Sequence, residues 1–119
     1  MITGIQSDGP IVFGVHEVTG GDIETLRTVF AEDYSYLVQA YPEFLFGHLV
    51  RSTTRPDHYF HLTCWVNADA LAKAKADPAV AAILSGLPAA TVLVPEVCEL
   101  VTGITRNLPK PSGQESGVS

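Results

Sequence analysis

The 119-residue chain predicts an α+β fold built on one four-stranded antiparallel sheet. Three observations indicate this fold: four runs of β-branched and aromatic residues, stretches with apolar residues at steps of three and four, and the order of these along the chain. The order is β-α-β-β-α-β, the ferredoxin-like arrangement, in which the first and third strands lie side by side. The length is that of one domain.

The first strand is predicted over residues 11–18 and is followed by a helix over residues 22–41. Asn67 is predicted to cap a second helix, and Asp77-Pro78 to begin a short third one, because an N-cap followed by proline suits a helix start. The first helix has one apolar face, formed by Ile23, Leu26, Phe30, Tyr34, Leu37 and Tyr41.

Two further strands are predicted over residues 44–52 and 58–66, joined by the loop TTRPD. The fourth strand is predicted over residues 91–104. Because proline cannot donate a hydrogen bond to a neighbouring strand, Pro95 implies that this strand has a bulge or lies at the sheet edge.

Composition limits the classes of partner. Residues 1–9 are predicted to be a flexible N-terminus, residues 10–105 the folded domain, and residues 106–119 a disordered tail rich in Pro, Gly and Ser. A net charge of −6 without a basic cluster argues against nucleic acid. With neither a signal-like start nor about 20 consecutive apolar residues, we expect a cytoplasmic protein without membrane contact.

The two cysteines, Cys64 and Cys98, lie inside apolar runs and are expected to be small buried residues. Sequence motifs for nucleotide cofactors, serine hydrolysis and zinc proteolysis are missing, so we expect no cofactor and no metal.

The sheet face away from the helices is predicted to be apolar, although such a face normally meets water and is polar. Leaving it exposed would cost about 1.5 to 3 kcal/mol for each large side chain, so a second copy of the chain is expected to cover it. The sequence therefore predicts a homodimer that closes into a dimeric α/β barrel. The residues concerned are Phe13, Val15, Phe60, Leu62 and Val66.

The opposite face, under the helices, carries unusually many polar groups for a core. Antiparallel pairing of the first and third strands should bring His16 beside Tyr59 and His61, with Trp65 nearer Val12. These residues are candidates for a small-molecule site with aromatic walls, in which Thr63 also lines the wall. For any one of them alone, a satisfied core residue is the favoured interpretation, and only their convergence on one face supports a site.

Several further residues are assigned to this site by position. Tyr34 or Tyr36 on the first helix is a candidate lid, and Gly14 should either leave room in the middle of its strand or mark a bulge there. If Arg51 pairs with His58, then Phe46 and His48 join the same face. Glu32 and Asp33 are interpreted as solvated surface charge.

Two stretches, YPEFLFGHLVRS and HYFHLTCWVNADALAKAKADP, resemble the antibiotic biosynthesis monooxygenase family of dimeric α/β barrels. That family has an aromatic strand, a charged hairpin, a strand ending in Trp, a helix, and a short helix starting at DP or SP. Trp65 and its spacing to Asp77-Pro78 carry the resemblance, which extends from about Ile11 to Val101. Glu43 stands where the family usually has Gly.

The resemblance implies a homodimer with one active site per subunit, between sheet and helices. It also implies either cofactor-free oxygenation of aromatic polyketides or oxidative breakdown of haem. The haem branch matches poorly, since its strand Asn falls on Gly14 and its helical His at about Gly86. The polyketide branch departs at His61, where it has Asn, and at Leu71, where it has Tyr.

Three hypotheses are open for the function. The first is a cofactor-independent monooxygenase for an aromatic or enolisable polyketide, with His61 or His16 as general base. Tyr59 or the second histidine would hold the oxyanion, and Trp65 would form a wall. The second is an oxygen-independent cyclase or isomerase that uses the same pocket, and the third is a non-catalytic ligand-binding dimer.

Overall fold

A computed structural model describes residues 10–104 of the chain. The predicted flexible N-terminus at residues 1–9 and the predicted tail at residues 106–119 lie outside the described residues. None of the described helices is long and apolar enough to cross a membrane. The elements are β1 Val12–Thr19, α1 Ile23–Ala40, β2 Phe44–Arg51, β3 His58–Trp65, α2 Ala68–Lys75, α3 Pro78–Leu84 and β4 Val92–Glu99.

The four strands form one antiparallel sheet in the order β2-β3-β1-β4, with the helices against one face. The predicted ferredoxin-like α+β fold is therefore confirmed. Each helix begins where an Asx side chain caps it, as predicted for Asn67 and Asp77, whereas Asp22 was predicted to lie within the first turn. Asp22 accepts from the Thr25 amide at 3.0 Å, and Asn67 accepts from the Ala70 amide at 2.9 Å. Asp77 does the same for α3.

The central pair, β1 and β3, has the predicted register, in which His16 lies opposite His61 and Val12 opposite Trp65. The fourth strand is shorter than predicted, since β4 ends at Glu99 instead of residue 104. Pro95 pairs with His16 and lies in β4, which is an edge strand as predicted. A proline is tolerated at an edge because its missing N–H need not bond to a further strand.

The register of the second strand differs from the expected one. Arg51 pairs with Tyr59, one residue beyond His58, and a bulge falls between Phe44 and Phe46. Because an extra residue in one strand reverses the facing of the residues after it, Phe44 stays under the helices while Phe46 moves to the other face. The same bulge places His48 opposite Leu62, on the face away from the helices.

The sheet face away from the helices is mainly apolar, as predicted, although Glu17, His48 and Glu96 also lie on it. Phe13, Val15, Phe60 and Leu62 are half-buried there. Exposed apolar side chains extend the same face at Phe46, Val50, Val92 and Val94. Two expectations for this region were wrong, since Val66 is buried within the chain and Cys98 is exposed.

Two apolar clusters lie between the sheet and the helices. One surrounds Trp65, and the other surrounds Val18 and includes Tyr59. His61 and Thr63 lie on β3 between Tyr59 and Trp65, on the same face of the strand. The polar residues of β3 are therefore held between two well-packed regions.

Gly20 ends β1 in the left-handed region, with a φ of 86°. A Cβ atom at this position would meet the Ala90 carbonyl oxygen, which is backbone and cannot turn away. We expect Gly20→Ala to lower the free energy of unfolding by at least about 1–2 kcal/mol. Urea titration followed by circular dichroism measures the change.

Gly103→Ala is the matched control, because the nearest atom to its added Cβ would be a Leu100 methyl carbon at 3.7 Å. Its stability should stay within about 0.5 kcal/mol of the parent protein. Equal losses in the two variants would contradict the assigned role of Gly20.

Candidate active site

A cavity of about 270 Å³ lies between the sheet and the helices, near the β4 edge. Its walls are mainly apolar, as is usual for a small-molecule site. The charged and polar groups on them come from several elements, so the tertiary fold assembles the site. The lining residues that carry such groups are His16, Asp33, His61, Thr63 and Lys75.

Two histidines share one wall of the cavity. The rings of His16 and His61 are stacked, with their centroids 5.3 Å apart and their planes at 21°. Burial lowers the pKa of His61, and the neighbouring His16 lowers it further. The pKa of His16 is also lowered, by burial and then by the Lys75 cation. Both imidazoles are therefore neutral at neutral pH.

His61 is fixed from both sides of its ring. The Tyr34 hydroxyl lies 2.7 Å from Nδ1, and the Asp33 Oδ2 lies 4.0 Å from Nε2. Burial and the Asp33 charge raise the pKa of Tyr34, so this hydroxyl keeps its proton and can donate to Nδ1. Because an ionised carboxylate only accepts, the consistent tautomer of His61 carries its proton on Nε2, toward Asp33.

Asp33 is a site residue that the sequence interpretation missed. It is 2% exposed and lines the cavity, so its interpretation as solvated charge was wrong. Burial raises its pKa to about 6. The signal was its spacing: Asp33 follows Leu26 and Phe30 and precedes Leu37 at steps of four, three and four, which places it on the buried stripe of α1.

Trp65 and Thr63 form a short hydrogen-bonded chain below the cavity. The indole Nε1 of Trp65 donates to the Thr63 hydroxyl at 2.9 Å, and that hydroxyl donates to the Gly14 carbonyl at 3.5 Å. Gly14 lines the cavity, but the space above it is not free. An added Cβ would lie 3.0 Å from Thr63 Oγ1 and 3.2 Å from a Leu71 methyl carbon. Gly14 therefore allows Thr63 and Leu71 to pack closely against its backbone. It does not leave the empty space in the cavity that was expected.

The structure does not bring every predicted residue to the cavity. Tyr59 packs in the cluster around Val18 and does not line the cavity, so Tyr34 supplies the hydroxyl beside the histidines. Tyr34 was expected to be a lid, and instead its ring lies over Gly47 and beside the His61 ring, with its hydroxyl bonded to His61. Phe46 and His48 lie on the opposite sheet face, with their rings 5.0 Å apart.

Among residues 10–104, no three side chains of the His, Cys, Asp and Glu types are grouped so that they could hold a metal ion. A smaller depression of about 230 Å³ lies on the other side of Tyr34, toward β2. Arg27, Arg51 and Tyr59 are part of its lining.

A ferredoxin-like sheet whose helices enclose a cavity with a few buried polar groups is typical of proteins with a small-molecule site. The family model described as antibiotic biosynthesis monooxygenase matches residues 11–85, and the chain belongs to this family. The resemblance seen in the sequence is thereby confirmed. Membership supports a monooxygenase-type role.

Solved structures agree with this fold. SnoaB, a cofactor-independent oxygenase from Streptomyces nogalater, is 21% identical with a TM-score of 0.66, covering 86% of this chain and 100% of its own. The haem degrader MhuD from Mycobacterium tuberculosis is 23% identical with a TM-score of 0.61, covering 79% of this chain and 99% of its own. No curated protein matches the sequence.

Asp33 makes a testable contribution to stability. Its folded-state pKa of about 6 lies above the ordinary value of 3.8, so ionisation penalises the folded state above pH 6 and the penalty disappears below about pH 4. Asp33→Asn should therefore raise the free energy of unfolding at pH 7.5 by roughly 1–3 kcal/mol, and by much less at pH 4. Urea titrations at the two pH values measure this difference.

Glu32→Gln is the matched control, because Glu32 is the adjacent carboxylate and is exposed. Its stability should differ little from the parent protein at either pH. His61 titrates in the parent protein and in both variants, so its own contribution largely cancels. A gain for Asp33→Asn that is the same at pH 4 and pH 7.5 would contradict the buried-carboxylate explanation.

Proposed function

We propose that the protein is a cofactor-independent monooxygenase that acts on an aromatic or enolisable small molecule of the polyketide type. One observation carries the proposal: two neutral, stacked imidazoles line an apolar cavity, and one of them has a ring nitrogen without a hydrogen-bond partner in residues 10–104. Such a group is suited to take a proton from a bound substrate at neutral pH.

His16 is the base in this proposal. Its Nδ1 is buried and has no hydrogen-bond partner among the described residues. Both nitrogens of His61 face protein groups, Tyr34 on one side and Asp33 on the other, so His61 is less free to accept a substrate proton. We assign His61 a positioning role against the ring of His16.

The chemistry requires an electron-rich substrate, because dioxygen reacts slowly with closed-shell carbon. His16 would remove a proton from an activated CH₂ group, and the apolar walls would exclude water from the anion. The anion then passes an electron to dioxygen, and the two radicals combine to a peroxide. Loss of water leaves a carbonyl group, so the CH₂ group and O₂ give C=O and H₂O without an external reductant.

Trp65 and Thr63 would form the wall against which the substrate packs. The indole N–H is already bonded to the Thr63 hydroxyl, so the ring of Trp65 is held in one orientation. A rigid aromatic wall favours a flat aromatic substrate.

The alternative of a non-catalytic dimer predicts a filled cavity and histidines bonded to the backbone. In the described residues, the cavity is open and neither His16 nor His61 is bonded to a backbone group. This arrangement favours a catalytic site. A cyclase or isomerase would use the same base without oxygen, so oxygen dependence separates that alternative from the proposal.

Anthrone, an enolisable aromatic ketone, serves as a probe substrate. In air, the protein should consume one dioxygen for each anthrone converted to the quinone. His16→Ala should slow this reaction by roughly 10²–10⁴-fold, the usual contribution of a general base. An oxygen electrode and absorbance spectroscopy measure the two rates.

His58→Ala is the control, because His58 lies at the start of β3 away from the cavity and should retain the parent rate. Catalysed hydrogen–deuterium exchange at the anthrone methylene under argon, without quinone formation in air, would favour an isomerase or cyclase. Full activity in His16→Ala would contradict the assignment of the base.

We also propose that the protein works as a homodimer joined through the sheet face away from the helices. Phe13, Val15, Phe60 and Leu62 lie half-buried on this face, and exposed valines at both sheet edges extend it. An apolar surface of this kind marks an interface. A second copy with the same face would cover it symmetrically.

Leu62→Asp should convert the dimer into a monomer, because a carboxylate at the centre of the interface would be desolvated without a partner. Sedimentation velocity across a concentration series measures the assembly state. Ala72→Asp, on the exposed side of α2, should leave the assembly unchanged. A parent protein that sediments as a monomer at all concentrations would contradict the proposal.

A further inference from the structure

Asp33 is a buried carboxylate whose partners within the protein are incomplete. Its Oδ2 lies 4.0 Å from His61 Nε2, within the range of an ion pair but longer than a hydrogen bond. Its Oδ1 is buried and has no hydrogen-bond partner among the described residues. A buried acceptor without a donor costs free energy, so this position favours a donor from outside the chain.

Asp33 is one of the residues that line the cavity in which the substrate is proposed to bind. A ligand anion would be repelled by the Asp33 charge. An ammonium group would have to lose its water in a largely apolar cavity that already has the Lys75 cation on its wall. A neutral hydroxyl group can donate to Oδ1 at a much smaller desolvation cost. The remaining apolar walls suit a ring system that carries such a hydroxyl.

We propose that Asp33 Oδ1 accepts a hydrogen bond from a hydroxyl group of the substrate and thereby selects hydroxylated aromatic compounds over their ethers. This inference rests on the proposed function only for the location of the substrate. Asp33 is a specificity-determining residue here, and His61 positions it through Nε2. The contact is made on binding and does not require oxygen.

The test compares 2-naphthol with 2-methoxynaphthalene, which share a ring system and differ in the donor proton. Both are titrated into the full-length protein under nitrogen at pH 7.5 by isothermal titration calorimetry. The parent protein should bind 2-naphthol about 10-fold more tightly or better, since hydrogen bonds to charged acceptors are among the stronger ones.

Asp33→Asn keeps the side-chain size but removes the charge, and it should reduce this preference to about 3-fold or less. Asp33→Leu should abolish the preference. The affinity for 2-methoxynaphthalene should stay near the parent value in Asp33→Asn, which shows that the variant is folded and its cavity intact. Glu32→Gln should keep the full preference for 2-naphthol.

The outcomes separate this inference from the proposed function. If the parent protein binds both compounds equally, or if Asp33→Asn keeps the parent preference, the role of Asp33 is overturned while the cavity remains a ligand site. If neither compound binds, both the ligand site and the inference are overturned. Loss of oxygen uptake in any variant has no bearing on this result, because the titration is anaerobic.

Discussion

The pairing of β1 with β3 is the constraint on which the site depends. These are the central strands, and their antiparallel register sets His16 directly opposite His61. Side chains opposite each other in adjacent strands share a face, so the two imidazoles stack beneath α1. A slip of one residue would turn one histidine to the other face and leave the cavity without the pair.

The helix that covers this pair supplies the groups that fix it. Tyr34 and Asp33 are consecutive in α1, yet one reaches Nδ1 of His61 and the other faces Nε2. Stacking of Phe30 on His61, with ring centroids 4.4 Å apart, completes the enclosure. Burying one carboxylate and two imidazoles among apolar walls costs stability, and such a cost is common where ionisable groups have a functional role.

The two faces of one sheet serve different purposes. The face under the helices carries the histidine pair, Asp33 and the cavity, whereas the opposite face is mainly apolar and lacks any cover within the described part of the chain. Membership in the antibiotic biosynthesis monooxygenase family is consistent with this division, since the family model covers the strands and helices that form the histidine pair and its roof. The resemblance to the polyketide branch leads one to expect Asn at position 61 and Tyr at position 71, where this chain has His61 and Leu71. The polar groups of this cavity therefore differ from those that the resemblance implies.

Local patterns in the sequence were sufficient for the fold and for part of the site. Alternation with a period of two placed His16, His61, Thr63 and Trp65 on one face, and the capping residues marked the helix starts, because both signals depend only on near neighbours along the chain. Three features required the tertiary structure. The bulge before Phe46 moved that residue and His48 to the other face, since a bulge is set by pairing with β3 and is not visible in β2 alone. The burial of Asp33 and the choice of Tyr34 over Tyr59 depended on how α1 is rotated against the sheet, which packing between distant segments decides.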